Sequence, residues 1–193
     1  MINLVLFGPP GSGKGTQAQN LIAKYNLKQI STGDLFRYNI KNETELGKLA
    51  KSYIDKGELV PDQVTIDMLV DELKKPADVQ GFIFDGFPRT TPQAEVLDTI
   101  VKDLFNEEIT ITLSLKVEDE VLVERLCERG KTSGRVDDSD ESIIRNRIKE
   151  YYAKTAEVAT YYQAQDKFAE INGVGDIQEI SEKLYAEIDK VLA

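Results

Sequence analysis

The 193-residue sequence contains no histidine and a single cysteine, Cys127. Without histidine the chain offers almost nothing to zinc, and one cysteine excludes an internal disulfide framework. Cys127 reads as a small residue packed on a helix. Basic residues are also short, 24 Lys and Arg against 34 Asp and Glu, for a formal net charge of -10. Such a chain has no general basic face for gripping nucleic acid or anionic lipid, so any anionic ligand must be met by local positive charge. No apolar run is long enough to span a bilayer. The one at the start, Ile2 to Phe7, has neither a basic segment before it nor a small-residue cleavage site after it, and a cytoplasmic protein is expected. Repeats, low-complexity tracts and linkers are missing too. With 41% hydrophobic and 30% charged residues, one globular domain is the expectation.

What is present alternates. Short apolar or β-branched runs, Ile2 to Phe7, Gln29 to Ser31, Phe82 to Asp85, Ile109 to Leu115 and Phe168 to Asn172, predict strands. Between them lie helical spacings: Ala18, Leu21, Ile22 and Tyr25; Ile66, Leu69, Val70 and Leu73; Val121, Leu122 and Leu126; and Ile177, Ile180, Leu184 and Ile188. Strands separated by helices predict an α/β fold with a doubly wound parallel sheet and ligands at the carboxyl ends of its strands. Thr32 to Lys75 has a helical pattern broken at Gly47, Gly57 and Pro61, which predicts a small helical insertion. The polar stretch "ERGKTSGRVDDSDES" predicts a mobile loop.

The first strand runs into Gly8-Pro9-Pro10-Gly11-Ser12-Gly13-Lys14, the G-x-x-x-x-G-K spacing of a phosphate loop, and a helical pattern follows. Glycines let successive backbone N–H groups turn inward around a phosphate, the helix adds its positive N-terminus, and Lys14 supplies a point charge. One departure stands out. Gly15 occupies the usual Ser or Thr position, and Thr16 follows it.

With that departure, the blocks "GPPGSGKGTQ", "STGDLFR", "GELVPD", "FDGFPRTTPQAE", "LCERGKTSGRVDD" and "IRNRIKEYYAKT" resemble, in order and over nearly the whole chain, the nucleoside monophosphate kinases, most closely the short-lid adenylate kinases. The resemblance implies a P-loop NTPase fold with five parallel strands. It divides the single domain into a core (1–30, 61–128, 140–193), an AMP-binding insertion (31–60) and a short lid (129–139) without the zinc-binding lid insertion of the long form. The implied reaction is reversible transfer from ATP to AMP giving two ADP, with Mg2+ and no zinc, in a monomer that binds neither nucleic acid nor membrane. The resemblance assigns ATP to Gly11, Ser12, Gly13, Lys14, Gly15, Thr16, Arg125, Arg129 and Gly175. It assigns AMP to Thr32, Arg37, Glu58, Leu59, Val60, Gly86, Phe87, Pro88, Arg89, Gln93, Arg135 and Arg147. Lys14, Arg89, Arg129, Arg135 and Arg147 are its implied catalytic set.

Residue chemistry points the same way. Phosphoryl transfer needs two anions held in line and spreading charge neutralised, and arginine's planar fork is suited to both. Arg37, Arg89, Arg129, Arg135, Arg145 and Arg147 fall in the quoted blocks, and Arg125 directly precedes one of them. Asp85, closing an apolar strand, is the candidate to orient magnesium through its water shell, although an Asp there can also cap a turn. Gly86, not a water-activating Glu, follows it, and no N-K-x-D guanine reader occurs, which disfavours a motor or a GTPase. Gln93 can offer a donor and an acceptor to an adenine edge, or stand as a surface amide. Thr32 marks AMP specificity in the resemblance, yet can also be a helix N-cap. Asp137 and Asp138 are expected to position arginines or cap the next helix. The alternatives are a UMP/CMP kinase, or a nucleotide sensor that has lost turnover.

The spacing of the short forms lands on Asn146, between Arg145 and Arg147, as if one residue were inserted in "DDSDES". With Ile143 at zero and about 100° per residue, the apolar positions centre near roughly 75°, Arg147 at roughly 40° and Arg145 at roughly 200°. Arg147 is therefore expected to face inward and Arg145 to face solvent.

Overall fold

The computed structural model describes residues 1–193. Strands β1 (Ile2–Phe7), β2 (Leu27–Ser31), β3 (Gly81–Asp85), β4 (Ile111–Lys116) and β5 (Phe168–Asn172) form one sheet in the order β2-β3-β1-β4-β5, every pair parallel. The α-helices are α1 (Lys14–Tyr25), α2 (Thr32–Lys41), α3 (Glu45–Ile54), α4 (Asp62–Leu73), α5 (Thr91–Phe105), α6 (Asp119–Ser133), α7 (Glu141–Glu150), α8 (Glu157–Gln163) and α9 (Ile177–Leu192).

Strand alternation builds two cores. Val5, Phe7, Ile30, Phe82 and Phe84 pack on one face with Leu69 of α4, Leu97 of α5 and Val158 and Tyr162 of α8. Leu4, Leu6, Ile83 and Leu113 pack on the other with Leu21 of α1 and Ile180, Leu184 and Ile188 of α9. Helices cover both faces, so β1 and β3 near the centre of the sheet are largely apolar on both sides, whereas β2, β4 and β5 carry polar residues between apolar ones. The chain leaves β1 toward β2 and β3 on one side and later fills β4 and β5 on the other. A crevice for ligands therefore opens at the carboxyl end of β1. Register sets the level of that crevice: Leu6 pairs with Asp85, and Asp85 with Ser31. At the other end of the same strands Gly81 lies against Ile2 so closely that an added Cβ would collide with the Ile2 backbone.

Two expectations change, and one helix junction is irregular. Gly47 does not break a helix but lies inside α3, where a Cβ would strike the Asn39 carbonyl of α2. The break falls earlier, between α2 and α3, with Glu43 at φ +52°. The polar stretch expected as a loop is helical through Ser133, turns at Gly134 with φ +65°, and contains a 3-10 turn at Val136–Asp138. Gly130 lets that helix pass against Asp138, and buried ion pairs fasten the turn, a source of order invisible to hydropathy. Finally, α7 does not continue evenly into α8: a π-helical turn, Tyr151–Thr155, joins them.

Candidate active site

The loop from Gly8 to Gly13 sits at the crevice. Gly8, at φ +139°, lies where a Cβ would be 2.7 Å from the Leu115 carbonyl of β4, so the loop can hug the sheet only as glycine. Gly13 is the N-cap of α1 at φ +96° and brings no side-chain cap, so the first-turn amides of α1 face no competing side chain. Lys14 folds back over the loop, its Nζ donating to the carbonyls of Gly8 at 2.8 Å and Pro9 at 3.0 Å. Burial pushes its pKa down to about 8, with Asp85 opposing and Arg89 adding to the shift.

A cavity of about 670 Å3 spreads from this loop. Lys14 and six of the chain's seven arginines, all but Arg145, line it, against only two carboxylates, Asp34 and Asp85. In a chain of net charge -10 this is the local positive concentration that an anion would require. The cations press on one another. Burial, then the charge of Arg147, brings the Arg89 pKa down to about 10, and burial with the charge of Arg37 lowers that of Arg135.

Asp138 anchors part of this array. Its side chain is 0% exposed and accepts from Arg129 Nε at 2.6 Å, Arg129 Nη2 at 3.0 Å and Arg147 Nη1 at 2.6 Å. Asp137 Oδ2 lies 3.1 Å from the same Arg147 nitrogen. Burial alone would raise the Asp138 pKa; the hydrogen bond and charge of Arg129, with the charge of Arg147, hold it below the usual carboxylate range. The helix-capping role falls instead to Asp140, which accepts from the Ser142 amide at 2.7 Å. Arg145 points away, paired with Glu120 and Glu141.

A smaller cavity of about 90 Å3 adjoins the first and shares Gly33, Arg37, Gly86, Arg89, Arg147, Tyr151 and Thr155 with it. Thr32, Glu58, Leu59, Val60 and Gln93 line the smaller one alone. Ser31 is the N-cap of α2, its Oγ accepting from the Asp34 amide at 3.3 Å, which frees Thr32 to donate to the Gly86 carbonyl at 2.9 Å. Gln93 is buried, not a surface amide. Two adjoining spaces walled by shared arginines suit a reaction between two phosphorylated molecules.

A model of the adenylate kinase family matches residues 6–167. The chain belongs to the adenylate kinase family. Among similar proteins, the adenylate kinase of Flavobacterium psychrophilum is 59% identical over 191 residues, 99% of this chain and 100% of that one. That of Flavobacterium johnsoniae is 55% identical over the same shares, and that of Parabacteroides distasonis is 50% identical over 196 residues, 99% of this chain and 100% of its own. Family membership makes the chain a phosphotransferase with the P-loop NTPase fold.

Within this adenylate kinase fold the candidate residues divide by cavity. Gly11 to Thr16, Arg125, Arg129 and Gly175 all line the larger one. Arg125 donates toward the carbonyls of Gly11 at 3.4 Å and Gly173 at 3.3 Å. Pro88 and Arg135, assigned above to the AMP side, line the larger cavity and not the smaller. Phe87 lines neither, because its side chain is buried in the core beside Phe84 and Leu97. Sequence reasoning gave no role to Gln29, Tyr151 or Thr155. Gln29 was findable as a polar residue before a strand's end; the π-helical turn that presents Tyr151 and Thr155 leaves no mark in hydropathy. Asp85 Oδ2 accepts from Gln29 Nε2 at 3.2 Å, and Asp85 and Thr16 both line the larger cavity. No group of three or more His, Cys, Asp or Glu could hold a metal by itself, and no helix is long and apolar enough to cross a membrane.

Proposed function

We propose that this chain transfers a phosphoryl group reversibly between ATP and AMP, giving two ADP. The observation that carries the reading is the arginine array: six of seven arginines and Lys14 wall one cavity that opens into a second. A site that only bound nucleotide would have little use for guanidinium groups shared between two spaces, whereas in-line transfer requires charge exactly where the moving group passes from one to the other.

ATP takes the larger cavity, its phosphates on the amides of Gly11 to Thr16 and on Lys14, its base near Arg125 and Gly175. AMP takes the smaller, its base toward Thr32 and Gln93 and its phosphate toward Arg37 and Arg89. Arg129, Arg135 and Arg147 neutralise the transferring group together with Lys14 and Arg89. Mg2+ keeps several waters and takes few protein oxygens beside phosphate, so the all-oxygen set of Asp85 and Thr16 fits it. When bound with ATP, it would neutralise phosphate charge. Residues 129–139 act as lid and 31–60 as insertion, closing to exclude water from the transfer. Arg135 Nη2 and Asp34 Oδ1, one on each segment, stand 3.9 Å apart across the cavity mouth. Both cavities are complete within one chain, which supports a monomer, and free adenine nucleotides as substrates support a cytoplasmic setting.

A coupled assay of ATP with AMP, UMP, CMP and GMP tests this. AMP is expected to be strongly preferred. Equal efficiency with UMP or CMP would replace the assignment by a pyrimidine nucleotide kinase, and no turnover with any acceptor by a sensor.

A further inference from the structure

Both ends of the Gln93 amide are held by protein groups of opposite character. Its Oε1 accepts the backbone N–H of Arg89 at 2.7 Å, and its Nε2 donates to Asp62 Oδ1 at 2.6 Å. A backbone N–H can only donate and a carboxylate can only accept. The pair therefore admits one orientation of the amide and opposes its flip, which would set NH2 against N–H and carbonyl oxygen against carboxylate. Asp62 itself lines neither cavity. It is the exposed first residue of α4, and it meets Gln93 where the starts of α4 and α5 converge, the Gln93 backbone N–H being held by the hydroxyl of the α5 N-cap Thr90.

We infer that Asp62 is a specificity-determining positioning residue, which by locking the Gln93 amide makes the acceptor site select a 6-aminopurine over a 6-oxopurine. The inference rests on the reading that the smaller cavity receives the acceptor base. After its two protein bonds, the amide keeps one N–H and one oxygen lone pair for a ligand. A 6-aminopurine presents a ring nitrogen acceptor beside an amino donor and matches both. A 6-oxopurine presents a ring N–H donor beside an oxygen acceptor, and would match only the flipped amide. Thr32 cannot supply the same discrimination with its proton, because that hydroxyl is committed to the Gly86 carbonyl. A site whose buried polar groups are left unpaired by the wrong ligand rejects it by as much as about 10⁴.

The test is Asp62→Asn, which keeps shape but can either accept from or donate to Gln93. The readout is the ratio of kcat/KM for AMP to that for inosine monophosphate. The ratio is expected to fall by about tenfold or more, through a higher KM for AMP and a lower one for the 6-oxopurine, with the KM for ATP unmoved. A merely structural role would lower Tm and slow both acceptors alike; an unmoved ratio overturns the inference. Gln93→Ala separates the two levels of argument. If it raises the KM for AMP while Asp62→Asn leaves the ratio unchanged, the locking is wrong and the base site stands. If Gln93→Ala leaves the KM for AMP unchanged, the base site is wrong and the inference falls with it.

Discussion

Replacing Arg147 and Arg145 in turn separates a site-facing arginine from a neighbour two residues away on the same helix. Arg147 is 16% exposed and Arg145 47%. All of Arg147's protein acceptors, Asp137 O at 3.1 Å, Asp138 Oδ1 at 2.6 Å and Asp137 Oδ2 at 3.1 Å, meet Nη1. The Nε–H and Nη2 edge of the fork remains for a phosphate, and Gly57 leaves room for the side chain, since a Cβ there would stand 2.8 Å from Arg147 Cγ. Between the two, Asn146 donates to the Lys56 carbonyl at 2.8 Å. Loss of one preorganised donor at a developing charge costs about 10²–10³ in kcat, or ~2.7–4 kcal/mol, and Arg147→Ala should fall in that range. Arg147→Lys keeps the charge without the fork and should recover only part of it. Arg145→Ala removes exposed ion pairs with Glu120 and Glu141 and should leave kcat within about twofold. The measurement is steady-state kcat at saturating ATP and AMP, on variants whose circular dichroism matches the parent. A larger loss for Arg145→Ala than for Arg147→Ala would show the inward-facing assignment of Arg147 to be wrong.

Asp138→Asn removes the anchor shared by Arg129 and Arg147 and should lower kcat by up to about 10²-fold, the cost of a small misplacement. The Asp138 pKa is depressed in the folded state, so its stabilising contribution is full above about pH 4 and is lost as pH falls through the lower folded value. Tm measured against pH should accordingly decline less steeply below about pH 4 in the Asn variant, and parallel curves would count against the reading. Burial lowers Lys14 to about 8, so kcat/KM of the free enzyme should fall as pH rises past that value, while bound phosphate, favouring the ammonium, should move the limb in kcat upward; a flat kcat/KM to pH 10 would refute this. Thr32→Ala empties a polar position in the smaller cavity and should raise UMP efficiency relative to AMP by about tenfold, checked by competition between the two acceptors.

The sheet was legible because short apolar or β-branched runs alternate with helically spaced segments, so Ile2–Phe7 and Phe168–Asn172 fall where that pattern puts them. Strand starts at Leu27 and Ile111 were less so. Thr110, just before β4, is taken up by Asn3, whose backbone N–H donates to its hydroxyl at 3.0 Å. Helix-wheel reasoning correctly separated Arg147 from Arg145, since both lie on α7 upstream of the π-helical turn; it had no basis past Tyr151, where the rotation per residue changes. The turn at Asp137 and Asp138 was illegible for a different reason. Its order comes from charges that a sequence pattern scores as solvent-loving, and only the approach of α6 to α7 pairs them.

Gly81 turns a packing detail at the far end of the sheet into a condition on catalysis. Parallel strands are rulers laid side by side, and β3 can seat at its proper height only because nothing projects from Gly81 toward Ile2. Four residues on, roughly 13 Å at the rise of a strand, the same ruler delivers Asp85, Gly86 and Arg89 to the crevice. A methyl group added at Gly81 would lift or tilt that strand, and the error would arrive undiminished where nucleotides meet. Gly81→Ala should therefore resemble an active-site lesion, with kcat falling further than the loss of Tm explains. A variant that loses Tm but keeps kcat in its folded fraction would show that the strand absorbs the shift locally.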